Sequence, residues 1–386
     1  LEKKMAETGK SNKVKLQTSS LRAYTMLGAL VIIWLFFHWQ TGQVFLQSRN
    51  LSNLMLQTSV TGIIAVGMLL VIISGNIDLS VGSLLALAGG VAAIFLTKLG
   101  YGLVPAVLAA IAVGVIIGLF QGFLTAYGNI PAFIVTLGGL LAWRGAIKGI
   151  SQSETIPVVD DGFKAIGQQY IDPNIGWGLA VVAILAVLYF AFRKAKAQKD
   201  YGIGDGNLGK ELINSIAPVV GIIIFIYVMN DYAGIPIPVL IFLAIALLGF
   251  FITNNTTFGR YIYAIGGNAE AARLSGINNK MVVLKVFALL GAFTGIAALI
   301  YTARVASGTP DAGTLLELDA IAACVIGGTS LMGGRGTVFG ACLGALIMAS
   351  LDNGMSLLNY ADYTQELIKG SILVAAVGID MVGQKK

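Results

Sequence analysis

Twelve stretches of 16 to 25 mostly apolar residues, separated by short polar turns, fill most of this chain and dictate the solvent it must occupy. A helix needs about 20 apolar residues to cross the hydrocarbon core of a bilayer. No water reaches that core, so every backbone N–H and C=O must be paired within the segment, which favours helices. The candidate spans are 23–39, 54–74, 81–98, 103–127, 131–150, 175–192, 213–229, 238–253, 282–303, 317–332, 337–352 and 365–381. The stretch 317–332 also suits a re-entrant or broken element. The expected fold is all-α, a polytopic transmembrane helical bundle of ten to twelve spans.

Composition agrees. Charged residues make up 11% of the chain and hydrophobic residues 56%, against about a quarter charged in soluble domains. That is too little polar surface to coat a water-soluble body of 386 residues. The net charge of +6 does not point to nucleic acid, because the basic residues gather between the apolar spans. Numbering alternately from an inside N-terminus places seventeen Lys and Arg in inside segments and five in outside ones. This bias sets orientation, so both termini are expected in the cytoplasm. Residues 1–22 read as a cytoplasmic N-terminal segment. They run into a retained signal-anchor, since no small-residue cleavage pattern follows the first apolar stretch. Residues 382–386 read as a cytoplasmic tail.

Catalytic chemistry has little to work with. His38 is the single histidine and sits beside Trp39, as an interfacial anchor would. Cys324 and Cys342 lie in apolar segments and suggest neither a disulfide framework nor a metal site. Residues Gly204 to Lys210 match the opening of a phosphate-binding loop. Glu211 then stands where Ser or Thr should hold magnesium, and the run lies in a polar turn instead of between a strand and a helix. No nucleotide or metal site is expected in this chain.

Gly114, Gly118 and Gly122 recur every four residues, as do Gly336, Gly340 and Gly344. Such stripes occupy one helix face and let a neighbouring backbone approach. The segment Ser74–Ser83 interrupts two apolar spans, with Asp78 or Ser80 placed to cap the following helix, and Ile326–Thr337 is a loose echo of it. Irregular backbone at membrane depth is tolerated where it lines a polar passage. Of the ionisable residues within spans, Lys285 and Asp380 lie near inside ends and can snorkel, while Arg144 lies deeper and suits a bundle interior. No two carboxylates fall mid-span as an ion-coupling pair, which argues against an ion-driven carrier.

The polar segment 254–281 contains Tyr261-Ile262-Tyr263-Ala264-Ile265-Gly266-Gly267-Asn268-Ala269-Glu270-Ala271-Ala272-Arg273-Leu274-Ser275-Gly276-Ile277. It resembles the cytoplasmic signature of permease subunits in the ribose/galactose/xylose class of bacterial ABC importers. Ile77–Ser83, Glu317–Ala323, Gly327–Leu331 and Leu351–Gly354 also match that class, in order, across most of residues 50–386. The helix pair within 175–229, additional to the shorter ribose-type members, makes the xylose-type members most similar.

The resemblance implies a ribose/vitamin-B12-like permease fold, with residues 23–381 as one transmembrane domain. It also implies import of D-xylose or another pentose across the bacterial cytoplasmic membrane. The implied partners are a second copy of the chain, a cytoplasmic ATPase carrying ATP and magnesium, and an extracytoplasmic sugar-binding protein on loops 151–174, 304–316 and 353–364. Gly267, Asn268, Glu270, Ala271, Ala272, Arg273, Ser275 and Gly276 would couple the chain to the ATPase. Asn76, Asp78, Ser80, Thr329, Ser330 and Asn353 are candidates for a pathway of weak, scattered hydrogen-bonding groups. The rival expectation is an ion-coupled sugar carrier acting alone.

Overall fold

The computed structural model describes residues 24–202 and 207–384. Residues 1–22, the tail beyond Gln384 and residues 204–206 of the Gly204–Lys210 run lie outside the described residues. Five helices come first: α1 (Tyr24–Gln40), α2 (Ser48–Ile73), α3 (Val81–Thr97), α4 (Leu103–Ala126) and α5 (Ala132–Ser151). A two-residue strand β1 (Ile156–Pro157) and a short helix α6 (Asp161–Gln168) precede the long pair α7 (Pro173–Asp200) and α8 (Leu208–Tyr232). Next come α9 (Ile237–Asn255), α10 (Thr257–Gly267), α11 (Ala269–Leu274) and α12 (Asn279–Val305). The chain closes with β2 (Ser307–Gly308), α13 (Leu316–Ile326), α14 (Val338–Leu357) and α15 (Asp362–Gln384).

Each of the twelve apolar segments overlaps a helix, but the segment 317–332 is helical only through Ile326. Among the described residues, eight helices are long and apolar enough to cross a membrane by length and composition: α2, α4, α5, α7, α8, α9, α12 and α14. Helix α13 has 11 residues, about 16 Å at 1.5 Å per residue, or half the hydrocarbon core. Irregular backbone through residue 337 carries the chain onward.

The bundle is concentric. Helix α2 is the most enclosed, with 89% of its most apolar window buried, and α12 and α14 accompany it at 67% and 72%. Helices α4, α5, α7, α8 and α9 instead leave most of their most apolar windows half-buried or exposed, with Val182, Phe190, Ile213 and Leu247 exposed. In water such a surface would aggregate. In lipid it is already in its preferred solvent.

Close approach fixes the inner contacts. On α4, a Cβ at Gly114 or Gly118 would strike the backbone carbonyl oxygen of Gly291 or Phe287 on α12, so bare backbone meets bare backbone. On α14, Gly340 and Gly344 face the carbonyls of Gly327 and Ala323 in the same way. Overpacking a fitted interior costs about 1–3 kcal/mol. Gly118→Val is therefore expected to lose about that much stability in detergent unfolding. Gly145→Ala, with no neighbour within 4 Å, should stay within about 0.5 kcal/mol of the parent.

At the end opposite α10 and α11, segment 151–174 is ordered by its own elements. Strands β1 and β2 pair antiparallel, Ile156 against Gly308. Helix α6 packs on α12, where Gln168 Nε2 donates to the carbonyls of Ala303 and Arg304. Arg144 Nη1 donates to the Pro310 and Ala312 carbonyls at 2.6 and 2.7 Å. Its deep position is thus explained by a loop whose backbone acceptors it satisfies.

Candidate coupling and translocation site

The polar elbow between α9 and α12 is two short helices at an angle. Asn268 ends α10 and caps α11, its Oδ1 accepting the Ala271 N–H at 2.9 Å. At the other end, Gly276 adopts φ +84° and donates to the Arg273 carbonyl, while Ile277 N–H reaches the Ala272 carbonyl. That pairing terminates a helix through a left-handed residue, where glycine alone avoids a Cβ penalty. Ser275 Oγ bonds the Ala271 carbonyl, and Asn279 Nδ2 bonds the Ala269 carbonyl. Six residues make a marginal helix on their own; here a cap at each end holds them.

The surface of α11 divides by side. Ala272 is buried against the bundle, whereas Ala271, Glu270 and Arg273 are exposed. Glu270 and Arg273 form a two-pronged pair at 2.6 and 3.1 Å. Hydrogen bonding and then the charge of Arg273 hold the Glu270 carboxyl below its ordinary range. Leu274 stands out, because it is 75% exposed on a polar elbow. The sequence motif alone did not mark it; a lone bulky apolar side chain beside a helix stop was the available signal.

The elbow bears directly on both interrupted spans. Gly266 packs so tightly on the end of α2 that a Cβ there would collide with the Ile73 carbonyl oxygen and come within 2.5 Å of the Gly334 nitrogen. Gly334 N–H donates to the same Ile73 carbonyl at 2.9 Å. Tyr263 Oη donates to the Gly336 carbonyl at 2.8 Å. The end of α2 at Ile73 and residues 333–336 therefore meet each other and α10 at one junction. Gly333 and Gly334, at φ +85° and +70°, let the second of these turns fold back onto it.

The residues singled out for a pathway fall in separate places. Asp78 Oδ1 accepts from Ser80 N–H and Ser80 Oγ, both at 2.7 Å, and Ser80 Oγ accepts from Gln121 Nε2 at 2.8 Å. Neither side chain caps α3 itself, a correction to the capping expectation: Asp78 closes the turn one residue earlier. Asn76 bonds Ser74 locally. Thr329 and Ser330 are buried in the second break, and Thr329 packs against Gly336. Asn353 is buried and accepts from Asn50 Nδ2 at 2.8 Å.

Two carboxylates do meet, but near the ends of their apolar segments and on a shared lysine instead of mid-span as an ion-coupling pair. Asp319 of α13 and Asp352 of α14 converge on Lys369 of α15, at 3.1 and 2.8 Å. They are 33 residues apart along the chain, so no spacing rule connects them. The shared ammonium offsets one of the two charges and ties three helices together. Asp319 and Asp352 also floor a cavity of about 580 Å³, further lined by Gln57, Thr61, Tyr301 and Arg304, at the end remote from the elbow.

A bundle of apolar helices with two broken elements resting on an exposed polar elbow is the architecture of a membrane permease. The family described as "Branched-chain amino acid transport system / permease component" matches residues 50–199 and 200–377, and the chain belongs to that family of ABC-importer permeases. Among its relatives, the Xylose transport system permease protein of Haemophilus influenzae is 45% identical over 372 residues, covering 96% of this chain and 99% of the relative. The protein of the same name in Escherichia coli is 44% identical over 375 residues, covering 96% and 94%. The Ribose import permease protein of Escherichia coli is 38% identical over 336 residues, covering 87% of each chain. No solved structure matches the chain.

Proposed function

We propose that this chain is the translocating subunit of an importer for D-xylose or another pentose, driven by a separate cytoplasmic ATPase. The observation that carries this reading is the junction at Gly266, where the exposed elbow touches both interrupted spans. Two copies of the chain would enclose the pathway, with both termini in the cytoplasm. Segment 254–281 would sit in a groove of the ATPase, Ala271 and Leu274 filling it and the Glu270–Arg273 pair setting register at the rim. Rim charges tune specificity and encounter more than affinity. A sugar-binding protein would deliver substrate at the opposite face, to 151–174, 304–316 and 353–364. Nucleotide and magnesium would bind the ATPase; this chain would contribute no catalytic group.

The full-length xylose-named relatives support the pentose. The ion-driven alternative is not favoured, because the Asp319–Asp352 carboxylate pair is held by a lysine. Reconstitution in vesicles with the ATPase and binding protein tests the reading. Uptake of labelled D-xylose should require ATP and both partners and should survive collapse of ion gradients. Gradient-dependent uptake by the chain alone would reverse the conclusion.

A further inference from the structure

The cavity lined by Asp319 and Asp352 takes those two residues from the signature segments Glu317–Ala323 and Leu351–Gly354, whereas Gln57, Thr61, Tyr301 and Arg304 lie outside every segment that carries the permease signature. It is a cleft between the middle of α2, the end of α12, the start of α13 and the end of α14. Its volume of about 580 Å³ falls within the range of small-molecule sites, about 300–1,000 Å³.

The chemistry of the walls selects the ligand. Apolar transport substrates would find the lining too polar. Gln57 and Thr61, one turn apart on α2, offer an amide and a hydroxyl, and Arg304 offers a guanidinium. Asp319 and Asp352 present carboxylate oxygens from the facing side. Tyr301, whose ring lies 6.0 Å from the Arg304 guanidinium carbon, adds a flat apolar face suited to the C–H side of a sugar ring.

Charge balance separates a neutral ligand from a cation. Four aspartates line the cleft: Asp311, Asp319, Asp352 and Asp362. Lys148 pairs with Asp311 at 3.0 Å, Lys369 bridges Asp319 and Asp352, and Arg304 is itself part of the wall. Three cations thus answer four carboxylates, leaving dense hydrogen-bonding capacity with little net charge. A cation site keeps its carboxylates for the ion. Here Asp311, Asp319 and Asp352 are already engaged by ammonium groups, and each carboxylate oxygen has further lone pairs for hydroxyl donors.

We infer that this cleft is a receiving subsite for a neutral polyol, with vicinal hydroxyls donating to Asp319 and Asp352 and accepting from Gln57, Thr61 and Arg304. The inference rests on the importer reading, which supplies the pentose. The Lys369 bridge holds the two carboxylates in place without a substrate, so the site is formed before the sugar arrives. Its affinity is low by construction: the groups are spread over four helices and one side of the cleft is open, so the sugar is released onward.

Cysteine reporters test this in the full permease–ATPase complex. Thr61→Cys and Gln57→Cys should react with a membrane-impermeant maleimide added from the extracytoplasmic face, and D-xylose should slow both reactions several-fold. Glu154→Cys, on the exposed segment outside the cleft, should react at a rate unaffected by the sugar. Cys324 is buried, and the parent complex supplies the labelling background. Failure of either cleft cysteine to react from that face, or reaction indifferent to sugar at concentrations that saturate uptake, would overturn the subsite. So would protection by sodium or a divalent cation in place of the sugar. ATP-driven xylose uptake by the parent complex is measured in parallel. Its absence would sink the importer reading, whereas uptake without protection would sink the subsite alone.

Discussion

Gly266→Val should abolish ATP-driven uptake while the chain still inserts and still binds its ATPase. The side chain would point at the Ile73 carbonyl and the Gly334 nitrogen, not toward the surface that faces a partner. No flexible side chain stands there to yield; both neighbours are backbone. Relieving the clash requires the elbow to lift from the interrupted spans, and an overpacking cost of about 1–3 kcal/mol shifts such an equilibrium by about 5- to 150-fold. Co-purification of the ATPase at the parental level, together with ATP hydrolysis no longer linked to sugar, would be the signature. Gly267→Ala, adjacent but with no neighbour within 4 Å, should transport nearly as well as the parent. Normal uptake by Gly266→Val would show that force reaches the pathway by another route.

Leu274→Asp should separate the chain from its ATPase. A leucine fully buried in a partner groove contributes about 1.5–3 kcal/mol, and a carboxylate forced into the same groove opposes docking further. Ala271→Asp, on the same exposed helix, should act in the same direction. Glu270→Gln should cost much less, because an exposed ion pair contributes about 0–1 kcal/mol. The check is pull-down of the ATPase from membranes containing equal amounts of each variant. Equal recovery with Leu274→Asp would remove α11 from the docking surface. Gly276→Val would weaken recovery by a different route, since its φ of +84° strains any side chain and unwinds the end of α11.

The helices were legible because membrane solvent imposes a simple rule: long apolar runs, short polar turns. The glycine stripe of α4 was legible for a related reason, as spacing by four places residues on one face whatever the partner. Partner identity was not legible. Nothing in the spacing of Gly114 and Gly118 names Gly291 and Phe287, which lie about 170 residues away. The same limit hid Lys369 between Asp319 and Asp352, since a three-helix ion cluster has no sequence period. The elbow motif gave Asn268 and Gly276 for good local reasons, a cap and a left-handed stop. It gave no hint that Ala272 points inward while Leu274 points out, because a six-residue helix is too short to show a face. Gly266 was visible only as part of a string. Its consequence appears once Ile73 and Gly334 are seen to share one carbonyl contact beside it.

Sidedness of the elbow tests all of this most directly. Glu270→Cys removes a solvent-exposed pair of small energetic weight and places a thiol on the outer surface of α11. In sealed inside-out vesicles an impermeant thiol reagent should label it at once, and added ATPase should suppress that labelling. Labelling only in right-side-out vesicles, or labelling indifferent to the ATPase, would contradict the proposal that a cytoplasmic motor drives this permease through its elbow.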